Sequence, residues 1–160
     1  MSTTAKKIIS MTGKAQEATR LLRADHKLVS DLFAHFESAR STEKKQSLAL
    51  EICQELTVHA QIEEEIFYPA IETVLKDKSL VPEAKIEHET LKHLISQIEK
   101  ESAGTELYDA KVKVLSEYVK HHVKEEQTEI FPKVKETKLD LIKLGEQLAA
   151  RKEELKAALR

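Results

Sequence analysis

Two segments of the chain pair a histidine with a glutamate four residues on: HAQIEEEIFYP, residues 59–69, and HVKEEQTEIFP, residues 122–132. In each, a proline follows the histidine by ten residues. A four-residue step places both side chains on consecutive turns of one helix face, where an imidazole and a carboxylate can hold the same cation. One such pair in a chain this rich in glutamate is expected by chance. A third pair, His121 with Glu125, has Glu117, Lys124 and Thr128 as helical neighbours and reads as a solvated face. The shared distance to proline selects His59 with Glu63 and His122 with Glu126.

Two further histidines fall on apolar stripes. His26 stands with Leu22, Val29 and Phe33, and His88 with Ala84, Leu91, Ile95 and Ile98. The paired segments continue the pattern, through Ile52, Leu56, Ile66 and Phe67 around His59, and through Leu115, Tyr118 and Ile130 around His122. Four histidines and two glutamates therefore point inward, with no Lys or Arg on those stripes nearby. A buried carboxylate without a partner is heavily penalised or takes up a proton. One or two divalent or trivalent cations supply the missing positive charge. His35 and His93 lack an inward glutamate and read as surface residues. Glu64 and Glu65 read as an exposed helix edge. Asp25 either orients His26 from behind or lies exposed at the surface, and Tyr118, one turn before His122, either hydrogen-bonds into the site or stays outside it.

These side chains need helices to carry them. The 160 residues include only three Gly, three Pro and no Trp, and 34 % are charged, mostly good helix formers. The expected fold is all-α. A first helix runs from about Ala15 to Ser38, and a second follows ARSTEKK, with Ser41 or Thr42 as N-cap. The second reaches about Leu75, with Pro69 as a kink or end. A third has Pro82 in its first turn. A fourth runs from Glu106 to Lys135 behind a Gly104 stop and a Thr105 cap. His26 precedes His59 by 33 residues and His88 precedes His122 by 34, so the halves repeat. Long helices with short connections form an up-and-down four-helix bundle, here duplicated two-fold. The expected organisation is an N-terminal extension over 1–14, the bundle over 15–137 and a C-terminal amphipathic helix over 138–160. That last helix repeats Leu141, Leu148 and Leu155 every seven residues, suiting it to pack on the bundle or on a second copy.

Other classes are set aside. A net charge of −2 gives no footprint for nucleic acid or anionic membrane. No apolar run approaches a membrane span or a signal-peptide core, so a cytoplasmic location is expected. A single cysteine, Cys53, excludes an intrachain disulfide and a cysteine-rich metal site.

LLRADHKLVSDLF, LTVHAQIEEEIFYP, IEHETLKHLI and YVKHHVKEEQTEIFP, in that order over about residues 18–135, resemble the hemerythrin-like (HHE cation-binding) family. The resemblance implies a four-helix bundle holding two iron ions per chain, oxo- or hydroxo-bridged, with Zn or Mn as substitutes. It implies His26, His59, Glu63, His88, His122 and Glu126 as ligands, the glutamates bridging and the histidines shared two per iron. The family's oxygen carriers have more histidine ligation, including two histidines one turn apart on the third helix. Here the positions four residues either side of His88 are Ala84 and Lys92, and His93 lies about 140° around the helix. The resemblance is therefore closer to the family's stand-alone bacterial repair and sensor branches, although the cysteine-bearing N-terminal segment of the iron–sulfur repair proteins is absent. It implies a protein that binds, senses or reduces O2, peroxide or nitric oxide, with an external electron donor if it turns over. The alternative is an iron or metal buffer or sensor without turnover. A monomer or weak homodimer is expected.

Overall fold

The computed structural model describes residues 16–159, and within them every regular element is helical. The expected 1–14 extension and the helix start at Ala15 lie outside the described residues. Helix α1 spans Ala18–Ser38 and α2 spans Thr42–Ile62. A π-helical turn, π1 (Glu63–Phe67), carries α2 into α3 (Tyr68–Glu72). Helix α4 covers Leu80–Lys100, and α5 covers Glu106–Glu125. A second π-helical turn, π2 (Glu126–Ile130), leads into α6 (Phe131–Lys135), and α7 spans Leu141–Ala158.

The starts are set by side-chain caps that satisfy otherwise unpaired N–H groups. Ser41 accepts from the Lys44 N–H at 3.1 Å, Thr105 from that of Tyr108 at 3.1 Å, and Asp140 from that of Lys143 at 3.0 Å. Gly104, at φ +115°, reverses the chain ahead of α5 in a conformation that L side chains rarely adopt.

Neither Pro69 nor Pro132 ends its helix. A proline lacks an N–H and crowds the carbonyl four residues back, and here the preceding turn widens instead. The Tyr68 N–H bonds the Glu63 carbonyl and the Phe131 N–H bonds the Glu126 carbonyl, five residues back in each case. The wider turn has a consequence for the site. Residues five apart, which diverge on an α-helix, come to one side, so Glu63 and Tyr68 share a face, as do Glu126 and Phe131.

Around the bundle α1 packs on α2, α2 on α4, α4 on α5, and α5 back on α1, with α7 laid outside against α1, α2 and π1. Two apolar clusters fill the interior. One contains Phe33, Phe36, Ile52, Ile98 and Leu115; the other contains Leu22, Ile62, Phe67, Ile71 and Phe131, extended by Leu144 and Leu148 of α7. Buried polar side chains separate them. Gly145 lets α7 approach closely, because a Cβ there would sit 2.1 Å from the Gln16 carbonyl oxygen. Tyr118 does not join the core: it is 49 % exposed, and Val119, a full turn beyond Leu115, takes the inward place.

Candidate metal centre

His26 comes from α1, His59 from α2, Glu63 from π1, His88 from α4, His122 from α5 and Glu126 from π2. All six are buried, both glutamates completely. They form two groups of three whose potential ligand atoms lie within 4.8 Å of one another: His26, His59 and Glu126, and Glu63, His88 and His122. The glutamates reach across between them. Glu63 Oε1 is 3.1 Å from His59 Nε2 and 3.2 Å from His88 Nε2. Glu126 Oε1 is 3.1 Å from His26 Nε2 and 3.5 Å from His122 Nε2.

The outward nitrogen of every imidazole has an acceptor. His26 Nδ1 lies 2.9 Å from Gln127 Oε1, His59 Nδ1 2.9 Å from Asp25 Oδ2, His88 Nδ1 3.1 Å from Glu64 Oε2, and His122 Nδ1 2.8 Å from Glu87 Oε1. Such partners place the neutral ring's proton on Nδ1 and leave Nε2 as a lone pair aimed inward. With both rings neutral, the Nε2 atoms of His88 and His122, 3.1 Å apart, would have no proton between them. His59 Nε2 and both oxygens of Glu63 are buried without a hydrogen-bond partner of acceptable geometry. Four imidazoles and two carboxylates converging on a buried interior fit a pair of cations.

Without cations the centre holds protons. Burial opposes charge on His59, but Glu63 and Asp25 outweigh it and hold its pKa well above the usual imidazole range. Burial likewise opposes charge on His122, and Glu126, Glu63 and Glu87 outweigh it, raising its pKa to about 10. His88 is raised against burial by Glu63 and Glu64. Burial would push the Glu63 carboxyl up, but the facing His59 dominates and holds it well below its ordinary value.

Several outer positions differ from expectation. Asp25 is buried and orients His59 across the bundle, not its neighbour His26, and Lys152 of α7 bonds its other oxygen. Glu64 is half-buried against His88, because π1 turns it inward; Glu65 is exposed and pairs with Arg151 of α7. His93 and His35 lie at the surface as expected. His121 is exposed too, yet Glu87 approaches it at 3.4 Å from α4 in addition to Glu125 at 3.1 Å, a third and solvent-facing cluster. The tyrosine in the site is Tyr68. Its hydroxyl donates to Glu126 Oε2 at 2.9 Å and lies 3.2 Å from His88 Nε2 and 3.4 Å from His122 Nε2. The IFYP segment contained the signal, but at five residues from Glu63 an α-helical wheel turns Tyr68 away.

Beside the four imidazoles is a partly open cavity of about 30 Å3, lined on its other side mainly by Val29, Leu56, Leu91, Ile95, Val119 and Val123. It has room for about two water-sized centres and an apolar wall that favours a small uncharged guest. Cys53 is buried in the core, where burial pushes its thiol up to about 12, and it is chemically quiet. Among the described residues no helix is long and apolar enough to cross a membrane.

Known proteins are similar to this chain in fold and sequence. A crystal structure of a hemerythrin HHE cation binding domain-containing protein from Mycobacterium kansasii superimposes with a TM-score of 0.77 at 26 % identity, covering 89 % of each chain. A DNA nickase from Nostoc sp. is 28 % identical over 115 residues, which are 72 % of this chain and 32 % of that protein; this chain thus spans about a third of that relative. The family model for the hemerythrin HHE cation binding domain matches residues 17–134, from the start of α1 to the end of the second repeat. With the buried His/Glu groups falling inside that span, the chain belongs to the hemerythrin HHE cation-binding domain family.

Proposed function

We propose that the chain holds two iron ions between His26, His59, Glu63, His88, His122 and Glu126, and that it binds, senses or reduces O2, peroxide or nitric oxide. The observation that carries this reading is the convergence of four inward Nε2 atoms and two carboxylates that each approach a histidine of both halves, each imidazole anchored from behind by its own acceptor. Iron held by these residues would supply one-electron redox chemistry and a place for a small molecule to bind. Manganese and zinc suit the same donors and are the alternatives.

The protein's own part is positional. The four Nδ1 acceptors fix ring orientation and raise the donor strength of Nε2. The mainly apolar cavity suits a small neutral guest beside the imidazoles. The Tyr68 hydroxyl, held on Glu126, offers a proton beside His88 and His122. Electrons come from an external donor. The name of the Nostoc relative gives no ground for nicking in this chain, which matches 32 % of that protein and carries a net charge of −2.

Anaerobic reconstitution with Fe2+ tests the proposal. Uptake of about two irons per chain, with a near-ultraviolet charge-transfer band after exposure to air, is the expected result; a chain that takes up none refutes it. Turnover is a separate question. Catalytic consumption of peroxide or nitric oxide with a reductant marks an enzyme, and stoichiometric binding alone marks a buffer or sensor.

A further inference from the structure

The duplication relates the two halves residue by residue. His26 corresponds to His88, His59 to His122 and Glu63 to Glu126, so the inward groups are the same on both sides. The groups behind them are not. Gln127, a neutral amide, stands behind His26, where its counterpart Glu64, a carboxylate, stands behind His88. Asp25 behind His59 corresponds to Glu87 behind His122. Lys152 cancels the Asp25 charge at a side chain only 23 % exposed, whereas Glu87 is approached, besides His122, by the largely exposed imidazole of His121 at 3.4 Å and, among the described residues, by no lysine or arginine. Lys92 does reach Glu64, but at 51 % exposed it is largely screened by water. Tyr68 adds a third difference: its hydroxyl draws on Glu126, the carboxylate grouped with His26 and His59, while both oxygens of Glu63 remain undrawn.

All three differences act in one direction. An imidazole that donates to a carboxylate whose only cationic neighbours are solvent-screened is a stronger donor at its other nitrogen than one that donates to an amide or to an acid held by a half-buried lysine. Resting on the binuclear reading, we infer that the two cation positions are inequivalent: the His88/His122 position takes the first divalent cation and holds it more tightly, and the His26/His59 position fills second and exchanges. Repulsion between two cations splits uptake into two steps even in a symmetric site. Which pair fills first is therefore the discriminating observation.

The probe is Co2+ added to the full, metal-stripped chain. Crystals grown with one equivalent are read by anomalous diffraction at the cobalt edge, and both affinities by competition with a chelator. The expected result is cobalt beside His88 and His122, with a first equivalent bound about tenfold or more tightly, the scale on which outer partners alter metal affinity. Equal filling, or filling at His26 and His59 first, overturns the inference while leaving the binuclear reading intact. Cobalt at neither position overturns that reading itself. The exchange Glu64→Gln with Gln127→Glu keeps composition and charge and should narrow or reverse the order; Gln127→Glu alone, at a half-buried position, should narrow it if the pair fails to fold. An unchanged order in a folded variant, judged by circular dichroism, removes the outer acceptors as the cause.

Discussion

The first half of the duplication places His26 and His59 against Gln127, Asp25 and Phe131; the second places His88 and His122 against Glu64, Glu87 and Tyr68. The inward groups agree and the supporting groups diverge. This is the pattern expected where a cation dictates what touches it, while the shell behind is free to tune each position separately. The largest test asks whether the halves share their carboxylates. Because Glu63 and Glu126 each approach a histidine of both halves, replacing either with alanine should strip both positions, cutting metal content from about two per chain to well below one. His93→Ala and His121→Ala, measured beside them by metal analysis, should leave it nearly unchanged. A Glu63→Ala chain that keeps one full equivalent would show that each half binds alone.

Proton linkage gives the next largest effect. In the metal-free chain the pKa values of His59, His88 and His122 are raised, that of His122 from 6.5 to about 10. A folded-state pKa above the unfolded value stabilises fully below the unfolded pKa and is lost as pH rises through the folded one. Metal-free protein should therefore lose a few kcal/mol as pH climbs from about 6.5 to 10, while metal-loaded protein, with no proton on those nitrogens to lose, should hold level. The depressed Glu63 acts at the other end, failing only in acid. Urea midpoints across that window, with chelator and with metal, measure the difference; parallel curves would contradict it. Glu87→Gln, which weakens the field on His122, should flatten the metal-free slope, and the second half should respond more than the first.

What could be read from the sequence follows the same division. The bundle and the convergence of His26, His59, Glu63, His88, His122 and Glu126 were legible, because a 3.6-residue period projects the inward stripe of each rod and buried charge demands company. The supporting groups were less so. Gln127 and Glu87 come from a neighbouring element, and which rod faces which is not encoded in one helix's period. Glu64 and Tyr68 depend on the π turn, which moves residues off the α-helical wheel; two prolines ten residues after a histidine marked the place without stating the change of pitch. Lys152 was invisible for a third reason. The leucine repeat shows that α7 has an apolar face, and only its docking on α1 and α2 brings a lysine to Asp25, 127 residues away in sequence.

That lysine allows the halves to be driven apart. Lys152→Met leaves the buried Asp25 with His59 in place of two cationic partners, costing about 1–2 kcal/mol of fold stability once partial exposure is discounted. The freed carboxylate should at the same time strengthen His59 as a donor and raise the second cation's affinity several-fold. Stability and metal affinity should thus move in opposite directions, by urea denaturation of the metal-free chain and by chelator competition. A variant in which both fall together would make Lys152 a packing residue and no more.

The smallest change makes the halves alike. Tyr68 and Phe131 occupy matching places after their π turns, and the ring of Phe131 stacks on His26 with centroids 5.9 Å apart, so a phenylalanine already fits this kind of position. Tyr68→Phe keeps the ring's packing and deletes the hydroxyl, so its cost should be near that of one buried hydrogen bond, about 1 kcal/mol. The more telling effect is on Glu126. Relieved of the donation to Oε2, that carboxylate becomes the better partner for the His26/His59 position, and the gap between the two cation affinities should shrink. The reciprocal Phe131→Tyr should act on Glu63 and, by holding back the other carboxylate, shrink the gap from the opposite side. If Tyr68→Phe instead widens it, the hydroxyl serves the second position directly, and the difference between the halves begins at the cation and not behind it.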